Sequence, residues 1–514
     1  MIRPFANEPV LSYADAGRRR QAEEALARVR ARSAEPVPLW IDGQPRTERV
    51  RPVHNPSNPD EVVGQVAQAD ERDAQDALEA ATRRFAGWRC VPALERAMVV
   101  LRGAAALRRD RLDLVATEVL EAGKTWPEAD ADVAEAVDFL EYYARQMIRL
   151  AGPVAVDPVA GEWDEAFYVP LGAGVIIPPW NFPLAILAGM TSAALVSGNP
   201  VVLKPASPTP LIAARFVAAM HEAGLPKEVL QFLPGPGGRI GDSLVTDART
   251  RFISFTGSRD VGLRIVRLAA ETAPGQRWIK KVVAEMGGKD AIIVDESADL
   301  EAASEAIVAS AFGYQGQKCS ACSRAILVGS VHDDVLAMVE RRTRELRLGP
   351  AEGFDVDMGP VVNRSAYDKI LGHIESAPAE GARLVAGGGT RPGGYFIEPT
   401  VFADVAPGSR LGQEEVFGPV LAVMRARDFE DALEIANGTE YGLTGSVFSR
   451  DRAHLMRARA EFEVGNLYLN RKCTGALVGA HPFGGFNMSG TDSKTGSPDY
   501  LLLFMQMKAV AERF

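Results

Sequence analysis

From residue 172 onward, short apolar runs alternate with helical segments, and this alternation limits the fold more than any other feature of the chain. The runs are GVIIPP (174–179), PVVLKP (200–205), LQFLPG (230–235) and RFISFTGS (251–258). Helical patterns occupy 182–197, 209–223, 238–246 and 259–271. Strands that are apolar at nearly every position must be buried on both faces, as in a parallel sheet covered by helices. The expected fold class is therefore α/β, with a doubly wound unit that binds ligands beyond the carboxyl ends of its strands. A second alternation follows: DAIIV (290–294), a helix over 300–312, AILVG (325–329), a helix near 332–346, then strands and loops to about 480. It predicts a second α/β domain.

Upstream, residues 13–34 have the composition of a charged surface helix. PLWIDGQPR (38–46) predicts a hairpin turning at Asp42-Gly43. Residues 71–150 carry long helical patterns, with Val133, Val137, Leu140, Ala144 and Met147 on one stripe and Glu135, Asp138 and Tyr142 off it. Residues 151–170 have mixed alternation and no helical period, which predicts a long β excursion.

A chain of 514 residues exceeds one ordinary core, so two or three packed units are expected. The formal net charge of -10 offers no electrostatic footprint for nucleic acid or an anionic membrane surface. The most apolar window, Phe182 to Gly198, is broken by Gly189, Thr191 and Ser192 and is shorter than a bilayer span. The start has no basic segment followed by an apolar one, and 4 cysteines make no disulfide scaffold. A cytoplasmic protein without nucleic-acid or membrane partners is expected.

Two of those cysteines sit in GYQGQKCSACSRA (313–325), as Cys319 and Cys322. C-x-x-C admits a redox dithiol, half a zinc site, or one nucleophile with an incidental neighbour. There is no second C-x-x-C and the 6 histidines show no H-x-x-H or H-x-x-x-H pairing, so no metal is expected. A redox dithiol would be expected near the start of a βαβ unit in a small domain. A nucleophile needs an activated thiolate, a donor for the developing oxyanion, and a base. IPPWNFPLA places Asn181 between a buried strand and a helix, and AEMGGKDAII places Glu285 beside two glycines that let a ligand approach the backbone. Singly, Asn181 suits an N-cap, Glu285 a turn, and Cys322 a small buried hydrophobe. Together with their flanking residues they suit chemistry.

PWNFP (179–183), FTGS (255–258), EMGGK (285–289), GYQGQKC (313–319), EEVFGPV (414–420) and PFGGFNMSG (482–490) occur in that order. The set resembles the NAD(P)-dependent aldehyde dehydrogenase superfamily from about residue 38 to the C-terminus. FANEP (5–9), AEAVDFLEYYAR (134–145), GQKCSACSR (316–324), NLYLNRKCTGALVGAHPFGGF (466–486) and MKAVAERF (507–514) resemble its glutamate-semialdehyde-oxidising branch. That resemblance implies a Rossmann-like cofactor domain (1–150 and 171–286), a catalytic domain (287–480) and a β oligomerisation arm (151–170 and 495–514). It makes Cys319 the nucleophile, Glu285 the general base, and Asn181 with the Cys319 backbone N–H the oxyanion hole. The reaction it implies is oxidation of L-glutamate γ-semialdehyde to L-glutamate, the second step of proline breakdown.

For the cofactor, the resemblance implies Lys204 at the adenosine ribose, a pyrophosphate at the helix start Gly257–Ser258, and Glu415 at the nicotinamide ribose with Phe417 beside it. GPGGRIG (235–241) only approaches the usual dinucleotide fingerprint, because its last glycine is one place late. NAD-preferring members often carry a Glu at the position of Ser207, and a serine there would not repel a 2′-phosphate. NAD is expected as cofactor, with NADP tolerated. For the substrate, Ser320 and the N–H groups of Gly475 and Ala476 are implied as α-carboxylate ligands, Phe182 and Phe483 as flanks of the stem, and Glu135 near the amino end. The β excursion and the strand-like end, 501–514, imply a homodimer or higher homo-oligomer. A succinate-semialdehyde enzyme would be expected to show basic side chains in place of Gly475–Ala476, and a non-catalytic binding protein would need none of Cys319, Glu285 and Asn181.

Overall fold

The computed structural model describes residues 3–514. Gly174–Ile177, Val201–Leu203 and Leu230–Phe232 lie side by side in chain order. The chain then returns to the other side of Gly174–Ile177 with Phe252–Thr256 and Lys281–Glu285, all five strands parallel. Along each strand alternate residues serve opposite cores. Ile176, Val201 and Leu203 pack under helices Ala185–Val196 and Pro210–Glu222. Val175, Ile177, Val202 and Ile253 pack under Glu71–Trp88, Gly237–Thr246 and Arg259–Ala270. Each fully buried Val or Ile contributes roughly 1.5–3 kcal/mol, which is why both faces are apolar in the sequence. The strand order reverses between Gly174–Ile177 and Phe252–Thr256, so a crevice opens beyond their carboxyl ends.

The second sheet orders Arg383–Ala386, Thr400–Ala403, Val420–Ala426, Arg324–Val328, Ala291–Val294, Thr444–Phe448 and Asn466–Leu469, parallel except for its first strand. Its core is separate from the first two. A third component is a two-stranded antiparallel ribbon in which Glu162–Pro170 pairs with Met505–Arg513 along its whole length. No helix among the described residues is long and apolar enough to cross a membrane.

Several elements differ from the sequence expectations. The hairpin turns at Asp42 (φ 49) and Gly43 (φ 76) as a type I′ turn requires, and it also extends the first sheet, Trp40 pairing with Phe232. Lys281–Glu285 is a strand with no continuous apolar signal, because an edge strand leaves its first residues in solvent. The excursion 151–170 is extended only from Glu162, and Gly152, Pro153, Pro158 and Gly161 keep the earlier part irregular. The final strand begins at Met505. Tyr500 to Phe504 form a 3₁₀ turn instead, drawn into the first core where Tyr500 stacks on Tyr143 at 5.2 Å.

Helix Trp126–Leu150 is buried around most of its circumference. The Asp138 carboxylate accepts from the Asn7 side chain (2.8 Å) and the Glu8 N–H (2.6 Å), and Phe5 meets Tyr142 edge-on at 5.1 Å. Asp130 accepts the Leu11 N–H at 2.6 Å and both arms of the Arg111 guanidinium at 2.7 Å. The N-terminal arm is thus pinned by two buried carboxylates. Arg111→Met leaves Asp130 buried without its cation, and a loss of roughly 3–5 kcal/mol is expected. Calorimetry should show a lower melting temperature and proteolysis should cut the arm faster; no change in either would show that the arm is held elsewhere.

Candidate active site

The crevice between the two large sheets is a cleft of about 510 Å³. Its wall includes Asn181, Lys204, Gly257, Ser258, Cys319, Glu415 and Phe417, seven residues singled out from the sequence. Gly237, Gly238 and Gly241, from the incomplete glycine fingerprint, line it as well. Trp180, which the sequence reading did not single out, meets Phe417 edge-on at 5.4 Å across the cleft.

Asn181 does not cap a helix. The next helix begins at Ala185 with no side-chain cap, and the Asn181 Nδ2–H donates to the Gln317 carbonyl at 3.0 Å. That bond ties the loop after Gly174–Ile177 to the loop that carries Cys319. The cysteine loop is itself tightly wound: Tyr314 (φ 49) and Gln315 (φ 55) are left-handed, a conformation that costs about 1–3 kcal/mol per non-glycine residue. The Tyr314 hydroxyl donates to the Ala122 carbonyl (3.1 Å), and Gln315 Nε2 donates to the Gly123 (3.0 Å) and Pro360 (2.7 Å) carbonyls.

Glu285 ends its strand rather than forming a turn. The Ser493 hydroxyl donates to its Oε1 at 2.6 Å and the Gly485 N–H to its Oε2 at 3.0 Å. Burial outweighs these donors and pushes its pKa up to about 7. The two glycines that follow are both demanded by space. A Cβ at Gly287 would collide with the Glu415 carboxylate, and one at Gly288 would lie 2.6 Å from both the Asp290 carboxylate and the Cys319 carbonyl. Glu415 Oε1 accepts the Gly288 N–H at 3.1 Å, and burial raises its pKa.

Burial also pushes the Cys319 thiol well above its ordinary range, reinforced by Asp290, Glu415 and Glu285. Two lysines move the other way. Lys204, whose Nζ donates to the Pro205 carbonyl at 2.9 Å, is lowered to about 8 by burial. Lys289, bonded to the Glu414 carbonyl at 2.8 Å, is lowered to about 7, chiefly by burial and then by Arg324.

The remaining expected site residues are not part of the wall of this cleft. The Ser207 hydroxyl reaches the Gly235 carbonyl at 3.4 Å while its neighbour Ala206 lines the cleft. Ser320 is buried, and its carbonyl accepts the Cys473 thiol at 3.4 Å, which brings it to the strand of chain leading into Gly475 (φ 78) and Ala476. Phe483 bridges to Thr495 in the loop that holds Glu285. Phe182 packs on the first core beneath Lys124. Glu135 lies on Trp126–Leu150, with its pKa raised to about 8 by burial and then by Asp132.

Ser493, Lys289, Asp290 and Lys124 were not anticipated. Ser493 and Lys124 had no motif around them. Lys289 and Asp290 follow the glycine pair directly, so their adjacency to it was the available signal. Cys322 lies in the second core, as a small buried hydrophobe would, with its thiol donating to the Arg324 carbonyl at 3.4 Å. All four cysteines are free, Cys90 exposed and Cys322 and Cys473 buried. Iodoacetamide should therefore label Cys90 first and Cys319 slowly at neutral pH, the latter accelerating as pH rises. Cys322 and Cys473 should react only after denaturation. Peptide mass spectrometry reads all four, and rapid native labelling of Cys322 would contradict the packing.

Comparison with known proteins agrees with the geometry. The model of the aldehyde dehydrogenase family matches residues 40–510. The chain is 54% identical to the 1-pyrroline-5-carboxylate dehydrogenase of Geobacillus sp. (strain WCH70), covering 100% of both chains. A crystal structure of 1-pyrroline-5-carboxylate dehydrogenase from Thermus with bound NAD superposes with a TM-score of 0.98 at 52% identity, again covering 100% of both. Betaine aldehyde dehydrogenase from Staphylococcus aureus in complex with NAD+ has a TM-score of 0.90 at 29% identity, over 96% of this chain and 97% of that one. The chain belongs to the aldehyde dehydrogenase family.

Proposed function

We propose that this chain oxidises L-glutamate γ-semialdehyde, the open form of 1-pyrroline-5-carboxylate, to L-glutamate with NAD, the second step of proline degradation. The observation that carries this reading is that Cys319 and Asn181 share the cleft wall, with the Asn181 amide bonded to Gln317 two residues before the cysteine and Glu285 close enough to act on the thiol. The full-length likeness to 1-pyrroline-5-carboxylate dehydrogenases supports the substrate.

The cleft fits the cofactor. Gly237, Gly238 and Gly241 leave its wall open, and the helix Arg259–Ala270 starts at Ser258 with no side chain capping its free N–H groups. Glu415, which accepts the Gly288 N–H, is assigned to the nicotinamide ribose with Phe417 beside it, and Lys204 in the same wall is assigned to the adenosine ribose. NAD, when bound, supplies the oxidant that takes the hydride leaving the aldehyde carbon. The chain does the rest. Cys319 Sγ adds to the aldehyde carbon as its proton passes to water in the cleft, and the oxygen that becomes negative is held by Asn181 Nδ2–H and the Cys319 N–H. Loss of the hydride leaves a thioester on Cys319. Glu285, titrating near neutrality, takes the proton of the water that hydrolyses it.

Ser320 and the N–H groups of Gly475 and Ala476 are assigned to the substrate α-carboxylate, and Phe182 and Phe483 to its stem. Glu135 is assigned to its ammonium group, which would favour the ionised form that burial disfavours. The ribbon Glu162–Pro170 with Met505–Arg513 exposes Trp163 (62%) and Met507 (51%). A two-stranded ribbon is marginal alone, which supports a homodimer or larger assembly. The four free thiols suit the cytoplasm. Residues 1–150 with 171–286 are assigned as the cofactor domain, 287–480 as the catalytic domain, and 151–170 with 495–514 as the arm.

Reduced-cofactor formation with glutamate semialdehyde, against succinate semialdehyde and a Cys319→Ala blank, tests the reading. Preference for glutamate semialdehyde and a silent blank are expected; a preference for succinate semialdehyde would remove the roles of Ser320, Gly475 and Ala476. Asn181→Ala should lower kcat about 10²–10³-fold. Because only deprotonated Glu285 is a base, kcat should rise with pH through about 7, and Glu285→Gln should give one equivalent of reduced cofactor without turnover. NADP should also serve, and Ser207→Glu should cut kcat/KM for NADP far more than for NAD.

A further inference from the structure

Lys124 stands between the two loops that carry the reacting groups. Its ammonium lies 4.6 Å from the ring centre of Phe182, which follows Asn181, and 4.8 Å from that of Tyr314, on the cysteine loop. The side chain is 1% exposed, with Asp132 at 3.2 Å and Glu118 at 3.5 Å. Asp132 also accepts the N–H groups of Leu184 (3.3 Å) and Ala185 (3.2 Å), where the chain after Phe182 becomes a helix. The residue before Lys124 completes the frame, since the Gly123 carbonyl accepts from Gln315. One cation therefore contacts an aromatic ring on each loop, from a segment that belongs to neither.

We propose that Lys124 is a positioning residue that sets the distance between the Asn181 loop and the Cys319 loop, by binding Phe182 and Tyr314 through their ring faces. A cation over an aromatic face is held electrostatically and is favoured most where water is excluded, as here. The strained backbone of Tyr314 and Gln315 needs such support to persist. The only direct bond described between the loops, from Asn181 to the Gln317 carbonyl, fixes one point; Lys124 supplies a second, and two points define an orientation. Burial and Asp132 push the Glu118 carboxyl well above its usual range, and Asp132 is the nearer of the two carboxyls to the ammonium. Removing the cation leaves two buried carboxyls without it, so Lys124→Met should also lower the melting temperature, and kcat and the labelling rate carry the test beside that loss.

The inference rests on the assignment of Cys319 and Asn181 to the chemistry, which wild-type activity and the Cys319→Ala blank test separately. The experiment compares Lys124→Met and Lys124→Arg in the full-length protein. Displacement of reacting groups by an ångström costs about 10²-fold. Lys124→Met should lower kcat by about 10–100-fold and slow iodoacetamide labelling of Cys319. The NAD dissociation constant, measured by fluorescence quenching, should stay within about twofold, since Lys124 does not line the cofactor cleft. Lys124→Arg, which keeps charge and ring contact, should recover most of the loss. A kcat within about threefold of wild type in Lys124→Met would overturn the proposal. So would parallel losses of NAD affinity and melting temperature with arginine no better than methionine, the pattern of a merely structural lysine. If Lys124→Met does not fold, Tyr314→Leu removes one ring and leaves the ion pair; unchanged kcat in that variant would equally overturn the proposal.

Discussion

The hydrogen bond from the Asn181 amide to the Gln317 carbonyl joins loops that leave different sheets, and the geometry of the cleft depends on it. Each sheet is rigid because it is packed on both faces, so each delivers its loop to a fixed place. What neither sheet can set alone is the separation of those loops. The contacts that do so come from a third region, the helical layer of residues 93–150. Its carbonyls at Ala122 and Gly123 hold the cysteine loop, and Asp132 holds the chain after Asn181. The N-terminal arm presses on the same layer through Asp130 and Asp138. Parts of the chain remote from the chemistry are thus connected to it by short runs of buried polar contacts.

Away from the Asp242–Arg264 pair in the cleft wall, where the bonded guanidinium lowers the carboxyl, one cause dominates the buried ionisable groups named above. Carboxyls are raised toward neutrality (Glu285, Glu415, Asp290, Glu135) and lysines are lowered toward it (Lys204, Lys289), in each case with burial as the first cause. A cationic ring or an ammonium group brought in from solvent would draw protons off such raised acids at the moment a base is needed. Groups poised in this way report a site built for proton movement more directly than any single residue type does.

Much of the first sheet was legible because buried parallel strands have no polar face to hide. Val175, Ile176 and Ile177 are consecutive apolar residues that serve opposite cores. Cys319, Asn181 and Glu415 were legible through their motifs, and all three lie in one cleft wall. Lys124 was not, because its partners Phe182, Tyr314, Asp132 and Glu118 come from separate stretches and no local pattern marks a cation bound by rings. Ser493 was not, because a serine in a polar loop carries no sign that it faces a buried carboxylate. Cys322 reads in the sequence as a small buried hydrophobe, and it lies in the second core. Edge strands and side-chain partners depend on the assembled fold, and periodicity does not encode them.

The raised Cys319 thiol has a consequence for the lifetime of the protein. Peroxides and disulfides react with thiolates and leave thiols largely alone, so a cysteine kept protonated by its surroundings is withheld from oxidative damage. Burial is the first cause, with Asp290, Glu415 and Glu285 adding to it, so the resting protein opposes a thiolate. A permanently ionised cysteine would be quick to react and quick to age, and this one is held back from both.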